Sequence, residues 1–319
     1  MKFSGMSELC PSACPSCGCD AIRSIGAIPP SSVFAGRELK QVLNGGGLWS
    51  CEGCNLYFRW PRLSKNKLDR LYEEGNSHAW HNDQQTRADW ITAASWLQRD
   101  SYQEDGVLDI GCSTGQFLSE VLGGGFREKY GIEINNAAAE AAQEKGVRIL
   151  GSDIFDPALK EWRKRAFSAV VAFDVIEHVE NPLIFLKICS DLLRPDGSII
   201  ISTGNTAART WRWSGSRYWY CTIPEHISFI NEQWCRYAAD KLNLRLTHIH
   251  RFSHTKAHMS KISRELALNG LYIMAPGVFR ALRRAGFGGQ NARRYPEIAD
   301  YPPSWMSAKD HLIVEFKQA

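Results

Sequence analysis

Two pairs of cysteines near the start of the 319-residue chain have the spacing of metal ligands. Cys14 and Cys17 form the first C-x-x-C pair, and Cys51 and Cys54 form the second. Four thiolates on two such turns can surround Zn²⁺ tetrahedrally, and metal binding can supply folding free energy that a segment of about 60 residues lacks. A thioredoxin-like dithiol would need a βαβ context that this segment does not have. The pattern predicts a structural zinc site, with Cys19 as the lesser alternative to Cys17.

A glycine-rich turn follows an apolar run in the middle of the chain. Its polar and glycine residues are Asp109, Gly111, Ser113, Gly115 and Gln116. Glycines allow the backbone to approach a ligand closely, and a helix N-terminus offers free N–H groups. The spacing differs from the G-x-G-x-x-G pattern of nicotinamide dinucleotide sites. The turn therefore indicates either a different nucleotide-like cofactor or a purely structural connection between a strand and a helix.

Three more acidic residues stand at the ends of the strands predicted next. Glu133 can accept both hydroxyls of a ribose. Asp153, with the apolar Ile154 beside it, can bind and sandwich an adenine. Asp174 follows the fourth strand and begins the run Asp174–Val179. Any one of these carboxylates could be a solvated residue at a strand end, but their joint occurrence predicts a cofactor with a ribose and an adenine.

Two histidines are candidates for a general base, since an imidazole can take up a proton near neutral pH. His178 lies where a helix is predicted to begin, and its alternative role is structural. His226 follows Glu225 in an aromatic loop, residues 218–229, after the fifth strand. We expect this loop to overhang the edge of the sheet where an acceptor binds. Glu225 could orient His226 or stabilise its charge, and the aromatic rings could stack on a sugar or a base. We favour His226 as the base.

The elements that must position these residues alternate between strand and helix. Apolar runs predict strands at residues 107–110, 130–134, 147–150, 169–173, 198–202, 244–250 and 311–316. Helical periodicity predicts helices that begin at residue 117 and cover 137–145, 183–193 and 231–242, followed by a helical insertion at about 256–286. This order predicts an α/β fold with a Rossmann-like, doubly wound, mostly parallel seven-stranded sheet.

The order of these motifs resembles the class I S-adenosylmethionine (SAM)-dependent methyltransferases over about residues 100–319. The motifs are Val107–Gly111, Glu133, Asp153–Ile154, Asp174–Val179 and Leu193–Gly197. Ser113 stands where many members of the family have a third glycine. The resemblance implies SAM as the cofactor. It implies that the methionine part is surrounded by Asp109, Gly111 and Gly115, the ribose is held by Glu133, and the adenine is bound by Asp153 and Ile154.

The cysteine pairs, together with Leu56–Phe58 and Pro61, resemble the zinc-ribbon leader found ahead of many bacterial methyltransferases that act on sugars or small metabolites. A histidine in the loop that contains His226 recurs in those enzymes. Some ribosomal-RNA methyltransferases also carry a zinc ribbon. Residues 1–62 hold six basic and four acidic residues, which does not indicate a phosphate-binding surface.

Composition and charge narrow the class of protein further. The chain is 44% hydrophobic and 23% charged, which excludes a disordered or fibrous protein. Its net charge of +4 is too small to indicate a nucleic-acid partner. The N-terminus has no apolar stretch of the length of a secretory signal, so we expect a cytoplasmic protein. Residues 251–294 carry a larger net positive charge than the chain as a whole, because they contain nine basic residues and one acidic residue. This insertion could lie on an anionic membrane, hold a phosphorylated acceptor, or form a lid with a solvated basic face.

The sequence thus predicts a zinc-ribbon-like module at residues 1–62, a helical linker or cap at 63–100 and a methyltransferase domain at 101–319. The expected reaction is O-methylation of a sugar, a glycan intermediate or another small metabolite with a histidine general base. The alternatives are an RNA methyltransferase that binds through the zinc ribbon, an N- or C-methyltransferase of a small molecule, and a zinc-stabilised cofactor-binding protein without catalysis. The acceptor and the oligomeric state stay open.

Overall fold

The computed structural model describes residues 10–63, 67–68, 71, 87–99, 106–122, 126–164, 167–253, 258–287 and 296–318. The chain forms two compact units, and each unit is built from three separate stretches of sequence. The first unit contains residues 1–82, 205–229 and 253–310, and the second contains 83–204, 230–252 and 311–319. The predicted three-part division stays a prediction, and the cap residues Tyr72 and Trp80–Asp83 lie outside the described residues.

Strands and helices are labelled here in chain order. The strands are β1 (Ile22–Ala27), β2 (Ser31–Phe34), β3 (Arg37–Leu43), β4 (Gly47–Cys51), β5 (Tyr57–Trp60), β6 (Gly106–Ile110), β7 (Glu128–Ile132), β8 (Arg148–Gly151), β9 (Phe167–Phe173), β10 (Leu193–Gly204), β11 (Ser228–Phe229), β12 (Leu244–Phe252) and β13 (His311–Gln318). The α-helices are α1 (Ala88–Arg99), α2 (Asn136–Glu144), α3 (Pro182–Leu192), α4 (Arg209–Ser214), α5 (Glu232–Leu242), α6 (Met259–Met274) and α7 (Pro276–Arg284).

A seven-stranded sheet in the order β12-β13-β10-β9-β6-β7-β8 forms the centre of the second unit. The strands from β10 to β8 are parallel to their neighbours, whereas β13 is antiparallel to both β10 and β12. Every residue of β9 is buried, as expected for a central strand that is covered on both faces. The predicted Rossmann-like, mostly parallel seven-stranded sheet is confirmed.

Asparagine caps begin three helices of the second unit. The side chain of Asn135 accepts a hydrogen bond from the Ala138 amide at the start of α2. Asn181 caps α3 in the same way, with Pro182 at the first helical position, and Asn231 caps α5. These residues satisfy backbone N–H groups that a helix start leaves without a partner.

Two helical predictions differ in detail from the structure. The segment after the glycine turn forms a π-helical turn, Phe117–Val121, instead of beginning a regular α-helix. The predicted insertion at about 256–286 consists of two helices, because Pro276 ends the first and begins the second. Among the described residues, no helix is long and apolar enough to cross a lipid bilayer.

The first unit contains a four-stranded sheet in the order β1-β4-β5-β11 and a separate hairpin of β2 and β3. Neighbouring strands of both are antiparallel. The short strand β11 comes from the aromatic loop and pairs with Tyr57 and Phe58 of β5. The sequence predicts a loop here, because two residues are too few for an alternating pattern.

Aromatic side chains of the same loop contribute to the core of the first unit. The rings of Tyr218 and Tyr220 lie 4.9 and 5.6 Å from the ring of Trp211, and Phe229 also lies 5.6 Å from it. We expected these aromatic rings to be able to stack on a sugar or a base. Tyr218 and Tyr220 are instead buried, because they pack with Trp211 and other large side chains in the core of this unit.

Candidate functional site

The glycine turn of the second unit has the backbone geometry that its sequence suggests. Gly111, Ser113 and Gly115 all have positive φ angles, of 76°, 51° and 72°. A Cβ atom on Gly111 would lie 2.7 Å from Val175 Cγ2, and one on Gly115 would lie 2.9 Å from Val147 Cγ2. Both glycines are therefore required by packing as well as by conformation. Ser113 adopts the left-handed conformation at the position of the missing third glycine.

Glu133 closes the turn from the end of β7. Its Oε2 accepts a hydrogen bond from the Ser113 amide at 2.8 Å, and its Oε1 accepts one from the Asn135 amide at 2.8 Å. The side chain is buried. Each carboxylate oxygen has two lone pairs, so both keep an acceptor position for a ligand hydroxyl. This arrangement fits the predicted ribose contact.

Asp109 lies at the end of β6 beneath the turn and is buried. Its Oδ1 atom has no hydrogen-bond donor among the described residues. Burial raises the pKa of the Asp109 carboxyl well above its usual value, and the neighbouring Glu133 carboxylate raises it further. A buried carboxylate oxygen without a partner costs free energy. A cationic or N–H donor from a ligand would remove this cost.

The end of β8 presents polar and apolar groups in a different arrangement from the one expected. Asp153 is exposed, and its Oδ1 accepts a hydrogen bond from the Phe155 amide at 2.9 Å. Ile154, which we predicted to contact an adenine, is buried. The exposed apolar side chains next to these strand ends are Ile134, which is 58% exposed, and Phe155, which is 40% exposed. Neither was predicted as a ligand contact, because Ile134 falls inside the predicted strand 130–134 and Phe155 lies five residues beyond the predicted strand 147–150.

An arginine that sequence analysis missed binds two carboxylates of the second unit. Arg87 Nη2 lies 2.6 Å from Asp174 Oδ2 and 2.6 Å from Asp89 Oδ2. The buried Asp89 also accepts a hydrogen bond from Ser202 at 2.6 Å. Burial disfavours the charge of the Arg87 guanidinium, but Asp174 and Asp89 outweigh this effect and raise its pKa. The predicted cofactor residue Asp174 is thus held in an ion pair, at a φ of 53°.

Glu177 and His178 lie in a 3-10 turn directly after this segment. Glu177 is fully buried, and its Oε2 accepts a hydrogen bond from the Thr203 hydroxyl at 2.8 Å. His178 is half-buried, and its amide donates to the Val175 carbonyl at 2.9 Å. The half-buried position of His178 is compatible with either a catalytic or a structural histidine.

The other predicted base, His226, belongs to the first unit and is buried there. Its Nδ1 atom lies 3.2 Å from the Tyr220 carbonyl oxygen. A carbonyl oxygen can only accept, so Nδ1 carries the proton of the neutral ring and Nε2 carries the lone pair. Glu225, which we predicted to orient His226, accepts a hydrogen bond from the Ala35 amide at 3.0 Å. Burial raises the pKa of the Glu225 carboxyl.

The four predicted zinc ligands come together in the first unit. The Sγ atoms of Cys14 and Cys54 are 3.6 Å apart, those of Cys17 and Cys51 are 3.5 Å apart, and all four lie within 4.8 Å of one another. Thiolates about 2.3 Å from one tetrahedral ion would be separated by about 3.8 Å. The distances fit a Cys₄ site, and Cys17, not Cys19, completes the set.

A model of the methyltransferase domain matches residues 79–249, which is more than half of the chain. The chain belongs to this methyltransferase family. The match includes all the predicted cofactor residues, and the predicted class I SAM-dependent methyltransferase is confirmed. It also includes Arg87 and both candidate histidines.

Curated relatives of this methyltransferase include ubiquinone biosynthesis O-methyltransferases. The protein from Leptothrix cholodnii is 28% identical over 159 residues, which are 44% of this chain and 67% of the relative. The protein from Nitrosococcus oceani is 27% identical over 158 residues, or 45% of this chain and 66% of the relative. The chain therefore spans about two thirds of the length of the curated relatives that it matches.

Among solved structures, the methyltransferase resembles a chain from the complex of the Haloferax volcanii Trm112 methyltransferase activator with a candidate methyltransferase. The TM-score is 0.50 at 13% sequence identity, and the alignment covers 80% of this chain and 99% of the other. At this identity the similarity shows the fold alone.

The second unit of the methyltransferase fits SAM by its own features. Asp109 Oδ1, which has no donor among the described residues, offers an acceptor to the ammonium group of the methionine part, and Gly111 and Gly115 place no side chain at their positions in the turn. Glu133 retains acceptor positions for the ribose. Ile134 and Phe155 add apolar surface for the adenine.

Proposed function

We propose that this methyltransferase methylates a hydroxyl oxygen of a sugar, a glycan intermediate or another small metabolite in the cytoplasm. The O-methyltransferase relatives support oxygen as the methylated atom. The hydrogen bond between His226 Nδ1 and the Tyr220 carbonyl carries the proposal, because it holds the proton on Nδ1 and leaves Nε2 as the basic nitrogen of the ring.

His226 acts in this proposal on the acceptor hydroxyl. SAM supplies a methyl group that is transferred in line from its sulfonium sulfur. The hydroxyl proton moves to Nε2 of His226 as the new oxygen–carbon bond forms, and the Tyr220 carbonyl stabilises the resulting imidazolium through Nδ1–H. His178 is the second candidate for this base. Glu225 supports the loop that contains His226 through its contact with Ala35.

The second unit binds and orients SAM in the same proposal. Asp109 and the turn from Gly111 to Gly115, including Ser113, surround the methionine part, with Gln116 at the following helical turn. Glu133 accepts hydrogen bonds from the ribose hydroxyls, and Asp153 binds the adenine, with Ile154 packed beneath it. Asp174 acts through its ion pair with Arg87, which fixes the segment after β9.

A structural Zn²⁺ bound by Cys14, Cys17, Cys51 and Cys54 is part of the proposal. The support comes from the four Sγ atoms, which have the mutual distances of a tetrahedral thiolate site. The strands in residues 10–63 are short, so a metal would add folding free energy to what their apolar packing supplies.

We also propose that α6 and α7 lie on an anionic lipid surface. The one acidic residue of the segment, Glu265, is buried and accepts a hydrogen bond from the Ser307 amide at 3.0 Å. The charged side chains that face solvent on these helices are basic, and large apolar side chains are exposed beside them. The exposed apolar ones include Met259, Leu266, Met274, Val278 and Phe287, and the basic ones include Lys261, Arg264, Arg280 and Arg284. A second copy of the chain would set these basic residues against one another, whereas anionic lipid neutralises them.

Methyl transfer from radiolabelled SAM tests the proposed function. Nucleotide sugars, lipid-linked glycans and RNA are offered in parallel, and we expect label only in the sugar-containing or lipid-linked fractions. Label only in RNA would overturn the substrate class, and no label in any fraction together with tight SAM binding would favour a cofactor-binding protein.

The His226→Ala variant tests the base. We expect turnover to fall at least a hundredfold, within the usual range for loss of a general base, while the Kd for SAM stays within about twofold. The matched variant is His178→Ala. If His226→Ala keeps full activity and His178→Ala loses it, the roles of the two histidines are reversed.

A further inference from the structure

The loop that contains His226 is held by one side chain from the cysteine-rich part of the first unit. Arg59 of β5 is buried and donates hydrogen bonds to four backbone carbonyls. Three of them belong to the loop, those of Cys221, Ile223 and His226, and the fourth belongs to Gly45. Arg59 Nε lies 3.0 Å from the carbonyl oxygen of His226, and Arg59 Nη1 lies 2.6 Å from the carbonyl oxygen of Gly45.

An arginine is suited to this role by its shape and charge. The guanidinium is planar and carries five N–H donors, so it can satisfy several carbonyl groups at once, which a lysine cannot do with the same geometry. Burial lowers the pKa of Arg59 to about 10, so the group keeps its charge at neutral pH. The positive charge strengthens each of the four hydrogen bonds.

Two further contacts connect the same loop to the leader. The backbone amide of Arg59 donates to the Ile227 carbonyl at 2.9 Å, and this bond continues into the pairing of β11 with β5. On the other side of the loop, Glu225 accepts from the Ala35 amide at 3.0 Å. These hydrogen bonds all come from residues 35–59, and they add to the packing of the loop against Trp211.

We propose that Arg59 is a positioning residue for His226, so that the leader fixes the geometry of the base. The inference rests on the proposed role of His226. Cys51 ends β4 and Cys54 precedes β5, so the predicted metal ligands hold the two ends of the turn that leads into the Arg59 strand. Arg59 fixes the position of the loop relative to β5 through its hydrogen bonds to three loop carbonyls. Within the loop, the Tyr220 carbonyl sets the tautomer of His226.

Hydrogen exchange of the full-length protein tests this inference without a known acceptor. Arg59→Met removes all the donors but keeps a long apolar side chain, Arg59→Lys keeps the charge, and Arg23→Met changes an exposed arginine of β1 as the matched control. We expect amides of residues 221–229 to exchange at least tenfold faster in Arg59→Met, less so in Arg59→Lys, and unchanged in Arg23→Met. Amides of β1 and β4 should keep their protection in all three.

The tautomer of His226 gives a second measurement that a purely structural role would not change. Side-chain ¹⁵N spectra, with the signal assigned from His226→Ala, should report a single Nδ1–H tautomer in the wild-type protein and a mixture in Arg59→Met. Arg59→Lys should restore part of the single-tautomer signal.

The inference is overturned if exchange in the loop is unchanged, or if β1 and β4 lose protection as much as the loop does. It is also overturned if the tautomer of His226 stays unchanged. If Arg59→Met does not fold, Arg59→Lys decides by the same criteria. These readouts are separate from the proposed function, because loss of activity in His226→Ala depends on the base and not on Arg59.

Discussion

At the scale of single residues, the acidic groups of the site differ in how many of their carboxylate oxygens have a hydrogen-bond or ion-pair partner. Both oxygens of Glu133 accept backbone hydrogen bonds, and Asp174 is paired with Arg87. Unlike Glu133, Asp109 has a buried oxygen, Oδ1, with no hydrogen-bond donor among the described residues. We therefore expect SAM binding to stabilise the Asp109 carboxylate more than the Glu133 carboxylate.

Asp109→Asn should separate stability from cofactor binding. The wild-type folded state raises the pKa of Asp109, so the unfolded chain releases this proton at a lower pH than the folded chain does. The stability that Asp109 contributes is therefore lost as pH rises from its unfolded pKa, about 3.9, to its folded value. We expect the variant to be more stable without SAM at pH 7, by about 1–3 kcal/mol, and to lack this pH slope in urea unfolding.

The same variant should bind SAM about 10 to 100 times more weakly, because a charge-assisted hydrogen bond is lost. Isothermal titration gives the Kd, and Asp153→Asn, which changes an exposed carboxylate, is the control for stability. A less stable Asp109→Asn protein would mean that the wild-type carboxylate is already satisfied.

At the scale of elements, the glycine turn contains the sharpest steric requirement. A Cβ on Gly115 would meet Val147 and the α2 residue Ala142, at 2.9 and 3.2 Å. Gly146 also has a positive φ, of 83°, but a Cβ there would meet nothing within 4 Å. A comparison of Gly115 with Gly146 therefore separates the effect of backbone conformation, which both share, from the effect of packing, which only Gly115 has.

Gly115→Ala should destabilise the protein more than Gly146→Ala does. Conformation alone costs about 1–2 kcal/mol at either position, and overpacking adds about 1–3 kcal/mol at Gly115. Urea unfolding measures the free energies. Equal losses at the two positions would show that Val147 and α2 move aside without cost.

Much of the second unit could be predicted from the sequence, because parallel strands and their helices have strong periodic patterns. The strands, the glycine turn and Glu133 were found in this way. β11 could not be, since its two residues become a strand only by pairing with β5. Arg59 and Arg87 were missed for a similar reason. Arg59 entered only the charge count of residues 1–62 and Arg87 only that of the whole chain, because the fold determines which carbonyl and carboxylate groups they contact.

At the scale of the whole molecule, the small net charge of +4 conceals an uneven distribution. α6 and α7 bury Glu265 and expose basic and apolar side chains. Met274 and Phe287 are 82% and 68% exposed. Such a surface is expected to bind anionic lipid more strongly than neutral lipid, and less strongly as salt screens the charges.

Sedimentation with vesicles tests this surface. The protein should pellet with vesicles that contain phosphatidylserine at low salt, and not with pure phosphatidylcholine. Arg280→Glu with Arg284→Glu should abolish pelleting, whereas Ile184→Asp, which changes an exposed apolar residue of α3, should not. Failure of the wild-type protein to pellet would reject lipid, and competition by inorganic phosphate would indicate a phosphorylated acceptor instead.

Removal of the metal should affect the first unit first. After treatment with a strong chelator, we expect amides of β1, β4 and β5 to lose hydrogen-exchange protection, because thiolates would no longer be held together by a cation. The Cys14→Ser variant should behave in the same way, and Cys10→Ser, which changes an exposed cysteine, should not. Protection that survives chelation would mean that the cysteine cluster is held by packing alone.

The pairing of β5 with β11 has a consequence for attempts to divide this protein. A fragment that ends near residue 62 would leave β5 as an open edge strand, with unpaired N–H and C=O groups where Ser228 and Phe229 belong. Such a fragment would be prone to self-association even with its metal bound. If residues 1–62 were fused to a different methyltransferase, that protein would need a loop with a short strand to pair with β5. We therefore expect residues 1–62 to be transferable only together with the loop at residues 218–229.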